Sequence, residues 1–109
     1  MLEAMFGSID AERVLLFLAA RDSGYGREIA DYWQTSVNGI QRQLDKFESG
    51  GILESRQVGR TRVYGWNPRW VFRNELKALL GRAITFLPKK ERERLEMVRK
   101  RPRRRGKVL

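Results

Sequence analysis

Residues 36–68 read SVNGIQRQLDKFESGGILESRQVGRTRVYGWNP, and the hydrophobic period changes once within them. Val37, Ile40, Leu44 and Phe47 recur at intervals of three, four and three, which puts them on one face of a helix. Thr35 or Ser36 supplies a capping oxygen at its start, and Gly50-Gly51 is its expected stop. From Ile52 the period is two. ILESRQV and TRVYGW read as strands joined through Gly59 and Arg60 in a tight hairpin, with Leu53, Tyr64 and Trp66 as inward anchors. Asn67-Pro68 breaks the second strand.

Upstream, Ser8 or Asp10 can cap a helix in which Ala11, Val14, Leu15 and Leu18 share a face and Phe17 widens it, with RDSGYG as its end. REIADYW places Ile29, Ala30 and Trp33 on one side of a short helix that stops near Gln34. Downstream, RWVFRNELKALLGRAITFL predicts a further helix, with Phe72, Leu76, Leu79, Leu80, Ala83 and Leu87 as its apolar stripe, to pack on its own domain or on a second copy. Pro88 interrupts it. KKERERLEMV is expected to be an exposed helix, because only Leu95, Met97 and Val98 are available for burial, and RKRPRRRGKVL has no core-forming pattern and is expected to be disordered alone. The division is therefore a folded domain over 1–87, ending in a packing or dimerisation helix, and a charged helix with a basic tail over 88–109.

With 109 residues the chain accommodates one modest core. It contains neither Cys nor His, which removes disulfides, thiol chemistry, imidazole bases and the usual zinc ligands. No cofactor and no catalytic step are expected, since acids such as Glu91, Glu93 and Glu96 lie on a solvated charge run. No stretch is long and apolar enough to span a bilayer, the N-terminus does not read as a signal peptide, and a cytoplasmic location is the default. Formal net charge is +10, but seven Lys or Arg and no acid fall in 99–109, leaving +3 for residues 1–98.

Three short helices followed by a hairpin with basic residues near its tip is the order expected of a winged helix-turn-helix, mainly α with a small antiparallel β-wing. Residues 36–68 resemble the second half of arsenic-repressor-like winged-helix domains. The matching parts are Ser36 at the start of the recognition helix, Gln43-Leu44, Gly51-Ile52-Leu53 leading into the wing, and Gly59-Arg60 followed by Tyr64. MLEAMFGS and NPRWVFRNELKALL are similar to a bacterial subgroup joined to, or found beside, small nucleotidyltransferases, so the resemblance covers about residues 1–85. It implies a transcriptional regulator that binds double-stranded DNA, acting as a repressor, with a nucleotidyltransferase encoded nearby as a possible partner. The chain departs from the family between the second and third helices, where Gln34 and Thr35 replace a glycine and a leucine.

The residues point the same way. A helix that buries Val37, Ile40, Leu44 and Phe47 turns Asn38, Gln41, Arg42 and Asp45 outward, and amide and guanidinium groups suit adenine and guanine edges in a major groove. Ser36, Asn38, Gly39, Gln41, Arg42 and Lys46 are the expected contacts of this helix. Gly39 admits two explanations, close approach to DNA or tight packing against another helix. Arg56, Arg60 and Arg62 are the wing candidates for phosphate or minor-groove contact, and Arg27 is a phosphate candidate at a helix N-terminus. Asp45 and Glu48 would repel phosphate. Arg101, Arg103, Arg104 and Arg105 in the tail could add salt-sensitive affinity without specificity. A homodimer is expected, since two recognition helices then meet paired half-sites. The competing reading is a protein-interaction module whose basic tail binds RNA or an acidic partner.

Overall fold

The Ser8 hydroxyl accepts the amide of Ala11 at 3.1 Å and starts α2, Ile9–Arg21. The computed structural model describes residues 1–96 and places a one-turn helix, α1 at Glu3–Phe6, ahead of it. Ala11, Val14, Leu15, Leu16, Phe17, Leu18 and Ala20 are all buried, so α2 is enclosed on most of its circumference and forms the centre of the core. Its one buried charged residue, Glu12, accepts the Leu2 amide at 2.5 Å and ties α1 down.

After α2 the chain pairs as well as turns. Asp22 takes a positive φ of 70°, and Ser23–Gly24 forms β1. Helices α3, Gly26–Trp33, and α4, Val37–Ser49, follow, and then strands β2, Leu53–Val58, and β3, Thr61–Trp66. The sheet order is β1-β3-β2, antiparallel throughout, with Gly24 opposite Tyr64 and Leu53 opposite Trp66. The expected two-stranded hairpin is thus part of a three-stranded sheet. A two-residue strand has no period to read, and its pairing with β3 creates it.

Leu53, Tyr64 and Trp66 are buried as expected, and the Trp66 indole donates to the Leu18 carbonyl at 3.2 Å. Trp33 likewise donates to the Arg13 carbonyl at 3.1 Å, so both indoles are satisfied on α2.

Helix α5, Arg73–Thr85, divides the apolar stripe expected of it. Leu80, Ala83 and Ile84 are buried and Leu76 and Leu87 half-buried, whereas Phe72 and Leu79 face solvent. The sequence is apolar on two sides here. One side packs on α2; the other carries Val71, Phe72, Leu79 and Phe86 into solvent.

Residues 89–96 are helical, and they are less exposed than their composition suggests because Leu95 is fully buried in the main core. Arg21 donates to the carbonyls of Leu95 at 2.9 Å and Arg94 at 3.2 Å, while Arg94 donates to the Tyr32 carbonyl at 2.8 Å. The two guanidinium groups also lie over the Tyr32 ring, at 4.9 and 4.1 Å from its centroid. One apolar anchor and two stacked cations hold this segment to α2 and α3. The tail arginines Arg101, Arg103, Arg104 and Arg105 lie outside the described residues.

Candidate nucleic-acid interface

The turn between α3 and α4 is closed by Gln34, which adopts the left-handed conformation itself, φ 55° and ψ 53°, and donates its amide to the carbonyls of Ala30 and Asp31. A non-glycine residue pays steric strain in that region. Here the strain is offset by the amide pairing and by Thr35, whose amide donates to Ala30 at 3.0 Å. Ser36 then caps α4, its hydroxyl accepting the Asn38 amide at 3.2 Å.

Ile40, Leu44 and Phe47 are buried, Val37 is half-buried, and Asn38, Arg42, Asp45, Lys46 and Ser49 are exposed. Asn38, Arg42, Asp45 and Ser49 follow at helical spacing along one outward strip. Gln41 and Lys46 flank it on opposite sides. Lys46 leans back toward the joint of α1 and α2, its Nζ 4.0 Å from where a Cβ on Gly7 would stand.

Gly39 lies under the N-terminus of α2. An ideal Cβ there would overlap the Asp10 carboxylate, whose other oxygen accepts from Arg13 at 3.2 Å; Arg13 also donates to Thr35 at 3.4 Å. Of its two explanations, tight packing against another helix has this direct observation behind it.

Gln41 is engaged within the fold. Its Nε2 donates to the Tyr64 hydroxyl at 2.8 Å and to Asp45 at 3.0 Å, and Tyr64 donates to the same Asp45 oxygen at 2.9 Å, closing a ring of three side chains. An ideal Cβ at Gly26 would overlap Gln41 Oε1, so the start of α3 leaves the room in which this amide sits. Burial first, and then the bond to Asp45, raises the Tyr64 phenol above its ordinary pKa.

The second acid of α4 is engaged too. Ser55 donates to Glu48 at 2.5 Å, and Arg62 donates to the Ser55 hydroxyl at 2.9 Å. Asp45 and Glu48 are therefore both hydrogen-bonded to the wing, while Asp45 remains exposed on the outward strip of α4.

The three wing arginines do not share a surface. Arg62 lies on the face toward α4, opposite Gln57; Arg56, opposite Val63, lies on the other face with Glu54, beside Asp22 and Gly65, in a shallow groove of about 320 Å³. Arg60 occupies the exposed tip. The period of two in a strand enforces this split. Arg27 is exposed in the first turn of α3. The structure therefore collects Ser36, Asn38 and Arg42 along α4 with Arg60 at the wing tip, and draws Gln41 and Arg62 into the joint between them.

No protein-family model and no curated protein matches the chain. Among solved structures it is similar to the YusO protein from Bacillus subtilis, with a TM-score of 0.57 at 17% identity over 95% of this chain and 82% of that one. It is also similar to a mutant of Lactococcus lactis ZitR in apo form, with a TM-score of 0.54 at 13% identity over 90% of this chain and 83% of that one. The fold is a winged helix-turn-helix. At these identities the likeness is one of fold, and the side chains of the interface stand on their own geometry.

Sequence reading did not find the roles of Tyr64, Asp10 and Glu48. A signal was present for part of the Tyr64 cluster, since Gln41 and Asp45 stand four apart on a helix, the spacing of a side-chain hydrogen bond. Tyr64 was legible only as a core ring.

Proposed function

We propose that this chain is a sequence-specific double-stranded DNA-binding transcriptional regulator that acts as a repressor by occupying promoter DNA. The observation that carries this reading is the capped, exposed strip of Asn38 and Arg42 on α4 beside a wing whose tip presents Arg60. Asn38 can bind adenine bidentately and Arg42 guanine, while Arg60 meets phosphate or a minor groove. That both fold neighbours are winged-helix regulators is consistent with it. The tail adds seven cations and, with them, affinity without specificity. Partnership with a nucleotidyltransferase has only the sequence resemblance behind it.

The working unit is a homodimer through the exposed side of α5. Phe72, Leu79 and Phe86 stand seven residues apart, Val71 adjoins them, and Glu75 and Arg82 lie between them with opposite charge. Two antiparallel α5 helices related by a two-fold axis near Leu79 bring Glu75 of each copy toward Arg82 of the other.

The test selects duplexes from a random pool and compares binding of the wild type, Arg42→Ala and a truncation ending at Val98, across salt, with duplex RNA and single strands alongside. Arg42→Ala is expected to relax preference at one base pair by a factor equivalent to about 1–3 kcal/mol. Truncation is expected to weaken all duplexes alike and to lower the salt slope. Unchanged preference in Arg42→Ala, with all binding lost on truncation, rejects the reading and leaves the interaction module with a nucleic-acid-binding tail.

A further inference from the structure

We infer that Tyr64 is a positioning residue that clamps the wing to the recognition helix, and that Gln41 and Asp45 serve this clamp and not base reading. The inference rests on the DNA-binding reading above and assigns a division of labour within it.

Tyr64 and Ser55 face each other across the β2–β3 ladder, so they form one rung of the wing. That single rung is held to α4 twice: Tyr64 donates to Asp45 at 2.9 Å and Ser55 to Glu48 at 2.5 Å. The two acids stand three residues apart on α4, a spacing that puts both on the same side of a helix. Gln41 completes the first tie by donating to both Tyr64 and Asp45. The notch at Gly26 seats the same amide against α3, so one cluster joins the wing to both helices of the helix-turn-helix.

The hydroxyl is the informative atom. The Tyr64 ring is buried to 1% exposure, and a phenylalanine ring would fill that space equally well. What the oxygen adds is a directional bond from strand to helix. Arg60 precedes Tyr64 by four residues, about 13 Å toward the tip along an extended strand, so a tilt of about 5° at the rung moves the tip by about 1 Å. A shift of that size is sufficient to misplace a phosphate contact, since a hydrogen bond weakens steeply over a few tenths of an ångström. The clamp therefore fixes the distance between what α4 reads and what the tip grips.

The chemistry also removes Gln41 from the reading set. With Nε2 donating to Tyr64 and Asp45, the amide cannot present its donor and acceptor together to adenine without breaking the ring of three. Recognition falls to Ser36, Asn38 and Arg42.

The experiment is a double-mutant cycle on full-length protein, with affinity measured for a duplex selected by the wild type and for an unrelated duplex. Arg60→Ala is expected to weaken binding about tenfold in the wild-type background and about twofold or less in Tyr64→Phe, because the tip is already misplaced there. Arg42→Ala is expected to lose the same factor in both backgrounds. The salt slope drops by about 0.9 on Arg60→Ala in the wild type, and by much less in Tyr64→Phe, if the tip contact is a phosphate. A general loss of stability would not move one arginine's contribution while sparing the other's. Gln41→Met combined with Asp45→Ala, which removes both helix partners of the hydroxyl and leaves the tyrosine ring in place, repeats the cycle if Tyr64→Phe does not fold. An equal loss for Arg60→Ala in both backgrounds overturns the clamp, as does a wild type insensitive to Arg60→Ala but sensitive to Arg42→Ala. Insensitivity to both substitutions removes the DNA-binding reading, and the inference with it.

Discussion

The carboxylate of Asp10 lies over Gly39, closely enough that the smallest side chain at that position would overlap it. The N-terminus of the central helix is thus seated on the first turn of α4, and Arg13 carries the contact on to Thr35 in the turn. An alanine there would gain about 1 kcal/mol of helix propensity but would have to displace the Asp10 carboxylate.

Gly39→Ala is expected not to stabilise the wild type, because the propensity gain is spent on displacing Asp10 and loosening Arg13. In an Asp10→Ala background the same substitution is expected to raise Tm by about 4–8 °C, the effect of about 1 kcal/mol in a domain of this size. Thermal unfolding of the four proteins measures this. DNA affinity of the Asp10→Ala protein is expected to be unchanged by adding Gly39→Ala; a loss there would return the glycine to the groove.

Leu95→Ala is expected to destabilise the fold by about 2–5 kcal/mol, the range for emptying a buried leucine site. Denaturant unfolding with an unchanged m-value is the readout. A change near zero would mean that residues 89–96 do not contribute to the cooperative unit.

Leu79→Lys is expected to yield a monomer in light scattering with little change in the protomer's fold, because Leu79 is already 36% exposed. Glu75→Arg and Arg82→Glu are each expected to weaken association and, combined, to recover part of it. Monomers throughout, the wild type included, would reject α5 as a dimer surface.

Stability is expected to fall in alkali. Burial, followed by the bond to Asp45, raises the Tyr64 pKa, and burial raises that of Tyr32 against the opposing pull of Arg94 and Arg21. Below the ordinary phenol pKa of about 10 both rings are protonated in either state, so their contribution is complete. Above it the unfolded chain releases these protons first, the folded state binds more protons, and stability declines until the folded-state values are passed. Tyr64→Phe is expected to flatten part of that decline in Tm measured from pH 8 upward.

Helix α4 and the hairpin were legible because their periods are long and their ends are marked by Ser36, Gly50 and Gly59. Strand β1 was not, since two residues carry no pattern and only β3 makes them a strand. The apolar residues of α5 identified a helix but not its buried side, for Leu79 and Leu80 are adjacent and point apart. The outward row of α4 was correct as helical geometry for Asn38 and Arg42. Gln41 departs from it because the wing closes over that flank, a tertiary event with no local trace beyond Asp45 four residues on. The separation of Arg56 from Arg62 was available from strand parity alone.

The pairing of Gly24 with Tyr64 closes a loop around everything between them, which includes both α3 and α4. Neither helix can detach without opening that ladder or straining it, so α4 belongs to the same cooperative unit as the sheet. Amide hydrogen exchange in α4, β1 and β3 should accordingly report one shared opening event.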